Sequence, residues 1–138
     1  MPINKRFVSI VDDEIDITVL FEDAICADIT DISVVSFNDP TIAFEHFSKN
    51  KEAYALVISD MRMPDMDGLA LLNKVKEHNP GVRTMLVSAY DFQNNPIFEK
   101  YLKQGIIDSF MEKPIKINKL CQKVRDEIQA YRQGVKEI

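Results

Sequence analysis

The chain has 138 residues, a formal net charge of −5, and 46% hydrophobic against 28% charged residues. That is enough chain for one hydrophobic core; the composition is globular, and the acidic balance argues against direct nucleic-acid binding. No apolar run approaches the roughly 20 residues that cross a bilayer, and the N-terminus turns acidic too early for a signal peptide.

Read in chain order, residues 7–11 (FVSIV) are the first predicted strand, and a densely apolar helix follows over 14–27. Residues 32–37 (ISVVSF) make the second strand. Asp39-Pro40 then offers an N-cap and an N1 proline ahead of Ile42, Ala43, Phe44 and Phe47. The third strand, 55–59 (ALVIS), runs into Asp60 and a loop punctuated by Pro and Gly. Asp67-Gly68 opens the next helix through Leu69, Leu72 and Val75, which stops near Asn79-Pro80-Gly81. Residues 84–88 (TMLVS) form the fourth strand, and a long loop-like stretch, 90–96, leads to a helix from Pro96 to Gly105. The fifth strand is 108–111 (DSFM). The last helix carries Ile117, Leu120, Cys121, Val124, Ile128 and Tyr131 in a stripe of helical period.

Strands alternating with helices imply a parallel sheet joined by right-handed crossovers and covered on both faces. The expected fold is a flavodoxin-like, three-layer α/β/α sandwich with five helices and a five-stranded parallel sheet of order 2-1-3-4-5. The whole chain, 1–138, reads as a single domain, with only a short polar tail over 132–138. Cys26 and Cys121 belong to no metal-type cluster, so a cytoplasmic setting is expected and both read as core or boundary packing. His46 and His78 read as residues of polar helix surfaces, and Met61, Met63 and Met66 as loop packing.

In such sheets, ligands bind beyond the carboxyl ends of the strands, near the reversal of strand order. The first strand ends in Val11-Asp12-Asp13-Glu14, the third in Ser59-Asp60 and the fourth in Val87-Ser88-Ala89, while the fifth runs into Glu112-Lys113-Pro114. Strands one and three are neighbours at about 4.8 Å, so Asp12, Asp13 and Asp60 converge. Two such charges about 5 Å apart repel by roughly 3 kcal/mol at an effective dielectric of about 20. Something positive must gather them. Lys113 can lean back from roughly 10 Å away, and a hard divalent cation, Mg²⁺ or alternatively Mn²⁺, suits an all-oxygen donor set. Asp60 is then a candidate nucleophile towards phosphorus, with Lys113 and the Ser88 hydroxyl meeting the phosphoryl oxygens.

These residues resemble the receiver (CheY-like) domain of two-component response regulators. The likeness rests on VDDE at 11–14, DMRMPDMDG at 60–68, Ser88-Ala89 and Lys113-Pro114, all in order and each closing a predicted strand. It implies that Asp60 accepts a phosphoryl group from a sensor histidine kinase or phosphotransfer protein. It also implies that Asp13, Asp60 and the Arg62 carbonyl hold Mg²⁺, with Asp12 supporting through water. Ser88 and Phe110 would be the switch residues, Phe110 standing where the family has its rotating aromatic, so that burial without a hydroxyl contact would do the switching. Lys113-Pro114 would be a cis peptide, and Arg62 and Tyr90 would tune the lifetime of the phosphoryl group. The implied product is a signalling protein, not an enzyme beyond its own phosphorylation and dephosphorylation. It would act on a downstream output protein or domain, with no output domain in this chain, no membrane, and a monomeric or phosphorylation-linked dimeric state.

Three rivals compete. A phosphate-independent binding module would lack one of Asp60, Lys113 or the acidic pair. A phosphohydrolase using an aspartyl intermediate wants a second acid two residues beyond the nucleophile, where Arg62 stands. A flavin-binding protein of this fold needs a Ser/Thr/Gly-rich loop after the first strand, where VDDE would repel phosphate.

Overall fold

The computed structural model describes residues 5–89 and 94–136. Its strands are β1 (Arg6–Val11), β2 (Ile32–Phe37), β3 (Tyr54–Asp60), β4 (Arg83–Ser88) and β5 (Ser109–Glu112). Its helices are α1 (Ile15–Asp28), α2 (Pro40–Asn50), α3 (Gly68–His78), α4 (Pro96–Lys103) and α5 (Ile117–Lys136). All strands are parallel, in the order β2-β1-β3-β4-β5. The expected topology holds, and element limits differ from the sequence reading by a residue or two. Among the described residues, no helix is long and apolar enough to cross a membrane.

Two cores sandwich the sheet. On one face Val8, Ile10, Leu56, Ile58, Met85 and Val87 meet Phe21 and Ile25 of α1 and Leu120, Val124 and Ile128 of α5. On the other, Val57 and Leu86 meet Phe47 of α2, Leu69, Leu72 and Val75 of α3, and Phe98 of α4. Every residue of β3 is buried, as a central strand covered on both faces requires. Tyr54 breaks the alternation, packing with the second core although Leu56 and Ile58 face the first. The cause is one extra residue in β3: Phe7 pairs with Tyr54 but Val8 pairs with Leu56, so Ala55 is left over.

Local chemistry sets the helix ends. Asp39 caps α2 by accepting the Thr41 amide at 2.8 Å, with Pro40 behind it. Asn95 caps α4 by accepting from Ile97 and Phe98, both at 3.0 Å, ahead of Pro96. The same helix stops at Lys103, and two residues on Gly105, with a φ of 76°, turns the chain so that the Ile106 amide donates to the Tyr101 carbonyl at 2.9 Å.

Two surface expectations need correction. His46 is not on a polar helix surface: its Nδ1 lies 2.6 Å from the Tyr54 hydroxyl, and its ring packs among Phe7, Phe37 and Tyr54. The buried tyrosine needed a partner, and α2 supplies one from the facing turn. Cys26 is exposed on α1, whereas Cys121 is buried as expected.

Candidate functional site

Asp12, Asp60, Ser88 and Lys113 arrive at one edge of the sheet from four strand ends. The pairing of Val11 with Ser59 brings the ends of β1 and β3 level, and Asp60 pairs with Val87 one residue before Ser88. Beyond β5 the Lys113 amide donates to the Ser88 carbonyl at 2.8 Å, which fixes where the lysine stem starts. From there its ammonium reaches 3.0 Å from Asp60 Oδ1 and 3.5 Å from Asp12 Oδ2. The expected lean towards Asp60 is found. Lys113-Pro114 is cis, as the resemblance implies.

The loop after Asp60 is held from both ends. The Met61 amide donates to the Val87 carbonyl and the Gly68 amide to the Met61 carbonyl, each at 2.8 Å. Between them Asp65 adopts a left-handed φ of 70°, and the Met66 amide closes a three-residue turn onto Pro64. Met61, Met63 and Met66 pack against the core beneath, as read from the sequence. Asp67 caps α3 by accepting the Ala70 amide at 2.8 Å. Gly68 does more than the turn chemistry suggests, because a Cβ there would lie 2.2 Å from the Asp60 carbonyl oxygen. The helix therefore rests directly on the backbone of the strand-end aspartate.

Asp12, Asp13 and Asp60 each present an oxygen, and these atoms lie within 4.8 Å of one another. Asp12 is 3% exposed and Asp60 9%, while Asp13 faces solvent. Asp13, Glu14, Asp60, Arg62, Ser88, Ala89 and Lys113 line a cleft of about 210 Å³ over this edge. Tyr90, expected beside it, lies outside the described residues. Three carboxylates against one ammonium leave two negative charges uncompensated when all are ionised. Burial, aided by the neighbouring Asp60 and Asp13 charges, pushes Asp12 up to about 6, against the opposing pull of the Glu14 amide and Lys113. Burial also raises Asp60, against its hydrogen bond to Lys113. Burial works against the Lys113 charge, yet Asp60 and Asp12 together outweigh it and raise that pKa. An all-oxygen set with surplus negative charge, free of His and Cys, fits a hard divalent cation such as Mg²⁺.

The charge surplus has a measurable consequence. A carboxyl raised above its unfolded value favours folding in its protonated form, so the contribution is present at low pH and lost as pH rises through about 6. In metal-free protein, Asp12 is expected to withdraw on the order of 2–3 kcal/mol of stability between about pH 4 and pH 7. Thermal melts across that range should show a clearly steeper slope in wild type than in Asp12→Asn, where only the raised Asp60 still contributes, and millimolar Mg²⁺ should flatten both. Parallel pH profiles for the two proteins would refute the assignment.

The comparisons with known proteins agree with this fold. The family model described as the response regulator receiver domain matches residues 8–125. The chain belongs to that family. Among the receiver's relatives, the DNA-binding transcriptional regulator NtrC of Proteus hauseri is 32% identical over 96 residues, covering 66% of this chain and 20% of that protein. The C4-dicarboxylate transport transcriptional regulatory protein DctD of Rhizobium meliloti is 30% identical over 118 residues, covering 86% and 24%. The chain thus spans only about a fifth to a quarter of these relatives. A response regulator receiver domain protein from Clostridium thermocellum superposes with a TM-score of 0.82 at 21% identity, over 93% of this chain and 98% of that one, which confirms the fold.

Sequence reasoning placed the receiver's carboxylates, serine and lysine together, but it missed what holds them. Glu14 contributes its backbone, the amide donating to Asp12 Oδ1 at 2.9 Å. Asn38 and Thr18 form a network beneath the acidic pair. The signal for the first lay in VDDE itself; the second is a tertiary contact with no local signature.

Proposed function

We propose that this receiver accepts a phosphoryl group on Asp60 from the phosphohistidine of a sensor kinase or phosphotransfer protein. The observation that carries the proposal is the Lys113 ammonium 3.0 Å from Asp60 Oδ1, in an open cleft shared with Asp13 and with the buried Asp12 close by. An Asp60 carboxylate oxygen attacks phosphorus and forms the acyl phosphate. The P–N bond breaks, and the imidazole leaves with its electron pair and is reprotonated. Lys113 and Ser88 steady the phosphoryl oxygens, a role of positioning and charge. A Mg²⁺ ion held by Asp13, Asp60 and the Arg62 carbonyl, with Asp12 in support, supplies the rest of the neutralising charge when bound. Water attack on the same phosphorus returns the carboxylate and inorganic phosphate, with Arg62 and Tyr90 tuning the rate. The domain thus catalyses only its own modification.

The phosphodonor has a natural seat. Ile15, Val19 and Leu20 of α1 are 64%, 53% and 49% exposed. Beside them an apolar groove lined by Ile17, Leu20, Phe21, Ala89, Pro114 and Ile115 ends at Lys113. An apolar helical partner carrying phosphohistidine fits there. Both relatives named above are much longer transcriptional regulators, so the receiver's output is proposed to be a further protein or domain. The test of the proposal is intact mass after incubation with acetyl phosphate and Mg²⁺. One added phosphoryl group is expected; none would leave the phosphate-independent binding module as the better reading.

The output path is proposed to run through Phe110. Its ring is 40% exposed and meets the buried Phe98 of α4 edge to face, with centroids 5.1 Å apart. If Ser88 moves to bond the phosphoryl oxygens, Phe110 can turn inward and release that contact, shifting α4, β5 and α5 between two states. Amide NMR with a phosphoryl mimic is expected to show shifts across residues 97–130. Shifts confined to the surroundings of Asp60 would sink the switch and spare the phosphoacceptor.

A further inference from the structure

Asp12 is gripped at four points. Its amide donates to the Phe37 carbonyl at 3.1 Å, its Oδ1 accepts from the Glu14 amide, and its Oδ2 faces Lys113. The fourth contact is the least expected: Asn38 Nδ2 donates to the Asp12 carbonyl at 2.9 Å. That carbonyl belongs to the peptide joining Asp12 to Asp13. The same amide nitrogen lies 3.1 Å from Thr18 Oγ1, and the Thr18 hydroxyl donates to the Ile15 carbonyl at 2.9 Å. Every hydrogen in this chain has an acceptor, and flipping the amide would set the Asn38 oxygen against the Asp12 carbonyl oxygen.

We propose that Asn38 is a positioning residue: by fixing the Asp12–Asp13 peptide it aims both carboxylates at one cation. The inference rests on the reading of Asp12, Asp13 and Asp60 as a divalent-cation site. Asn38 is not needed to start α2, because Asp39 already caps that helix. Asp13 is exposed, and among the described residues no hydrogen bond holds its carboxylate. The place from which its side chain starts therefore follows from its backbone, and among the described residues the one side chain gripping that peptide is Asn38. Thr18, 2% exposed, holds Asn38 in turn. Such outer partners set the orientation of a ligand without touching the ion.

The test is Mg²⁺ titration of metal-free protein by calorimetry, with wild type, Asn38→Ala, Asn38→Asp, Thr18→Val and Thr18→Ser. Asn38→Ala is expected to bind about tenfold more weakly. Asn38→Asp separates two causes. A mere effect of local charge would tighten binding of a cation, whereas loss of the donor and repulsion from the Asp12 carbonyl should weaken it as in the alanine variant. Thr18→Val should weaken binding severalfold, and Thr18→Ser, which keeps the hydroxyl, should restore it. Melts run alongside confirm that each variant is folded, and a purely structural role would lower the melting temperature without altering the dissociation constant. A readout without metal is the Asp13 amide resonance, which should move and broaden in Asn38→Ala. Wild-type affinity in Asn38→Ala would overturn the inference and leave the cation site standing. Absence of binding in wild type would overturn both.

Discussion

Asp60→Asn is expected to abolish the phosphoryl adduct outright, with no second position taking its place. The cleft holds other carboxylates, so the reason lies in their surroundings. Asp12 is 3% exposed, with one oxygen taken by the Glu14 amide and the other turned to Lys113 at 3.5 Å. Asp13 is exposed but has no ion pair to Lys113. Asp60 alone combines a place in the cleft with a lysine ammonium at hydrogen-bond distance. A neutral amide in its place keeps the shape but is a poor nucleophile towards phosphorus. Misfolding would not explain the loss, because the substitution removes charge from an acidic cluster and leaves Lys113 its Asp12 partner. The metal-free variant should therefore melt at or above the wild-type temperature. In wild type the adduct should be removed by hydroxylamine, as a mixed carboxylic–phosphoric anhydride is. A hydroxylamine-resistant adduct, or one that persists in Asp60→Asn, would place the modification elsewhere.

What could be read from the sequence follows from what is local. Strands β3 and β4 announced themselves because a strand covered on both faces needs apolar residues at every position. The site residues were legible because α/β topology sends strand ends to one edge, so chain order alone placed Asp12, Asp60, Ser88 and Lys113 together. The missed features depend on a partner distant in sequence. Nothing in FNDP distinguishes Asn38 from a loop residue until β2 lies beside β1. His46 sits on a helix of mixed polarity, and only the leftover Ala55 of β3 turns Tyr54 towards it. Residue type alone points Cys26 to packing, but α1 turns that position outward. Gly68 shows the same limit: DG is a turn signal, but the closeness of the Asp60 carbonyl is a property of the packed helix and strand.

Gly68→Ala should accordingly damage fold and site together. A methyl group there would sit 2.2 Å from the Asp60 carbonyl oxygen and 3.0 Å from both its carbonyl carbon and Leu86 Cδ1. Leu86 can turn aside; the strand backbone cannot. Either α3 withdraws, loosening the packing of Leu69, Leu72 and Val75 against the sheet, or the Asp60 peptide tilts and carries its carboxylate with it. Overpacking of this kind costs about 1–3 kcal/mol, and we expect a loss of about 2 kcal/mol in denaturant unfolding. Tilting the peptide is costly in a second way, since misplacing a reacting group by about 1 Å can slow a reaction on the order of a hundredfold. Phosphorylation by acetyl phosphate, measured per folded molecule, should therefore slow by at least about tenfold. Gly134→Ala is the matched control, as an added Cβ on α5 there meets nothing within 4 Å. It should gain up to about 1 kcal/mol from helix propensity and phosphorylate normally. If Gly68→Ala unfolds and reacts like the wild type, α3 can shift without disturbing Asp60, and the coupling of helix packing to the site is wrong. If it loses stability but reacts at the normal rate, the helix yields and the strand end does not. Slowed phosphorylation with the stability loss is the result that ties the first turn of α3 to the aim of the Asp60 carboxylate.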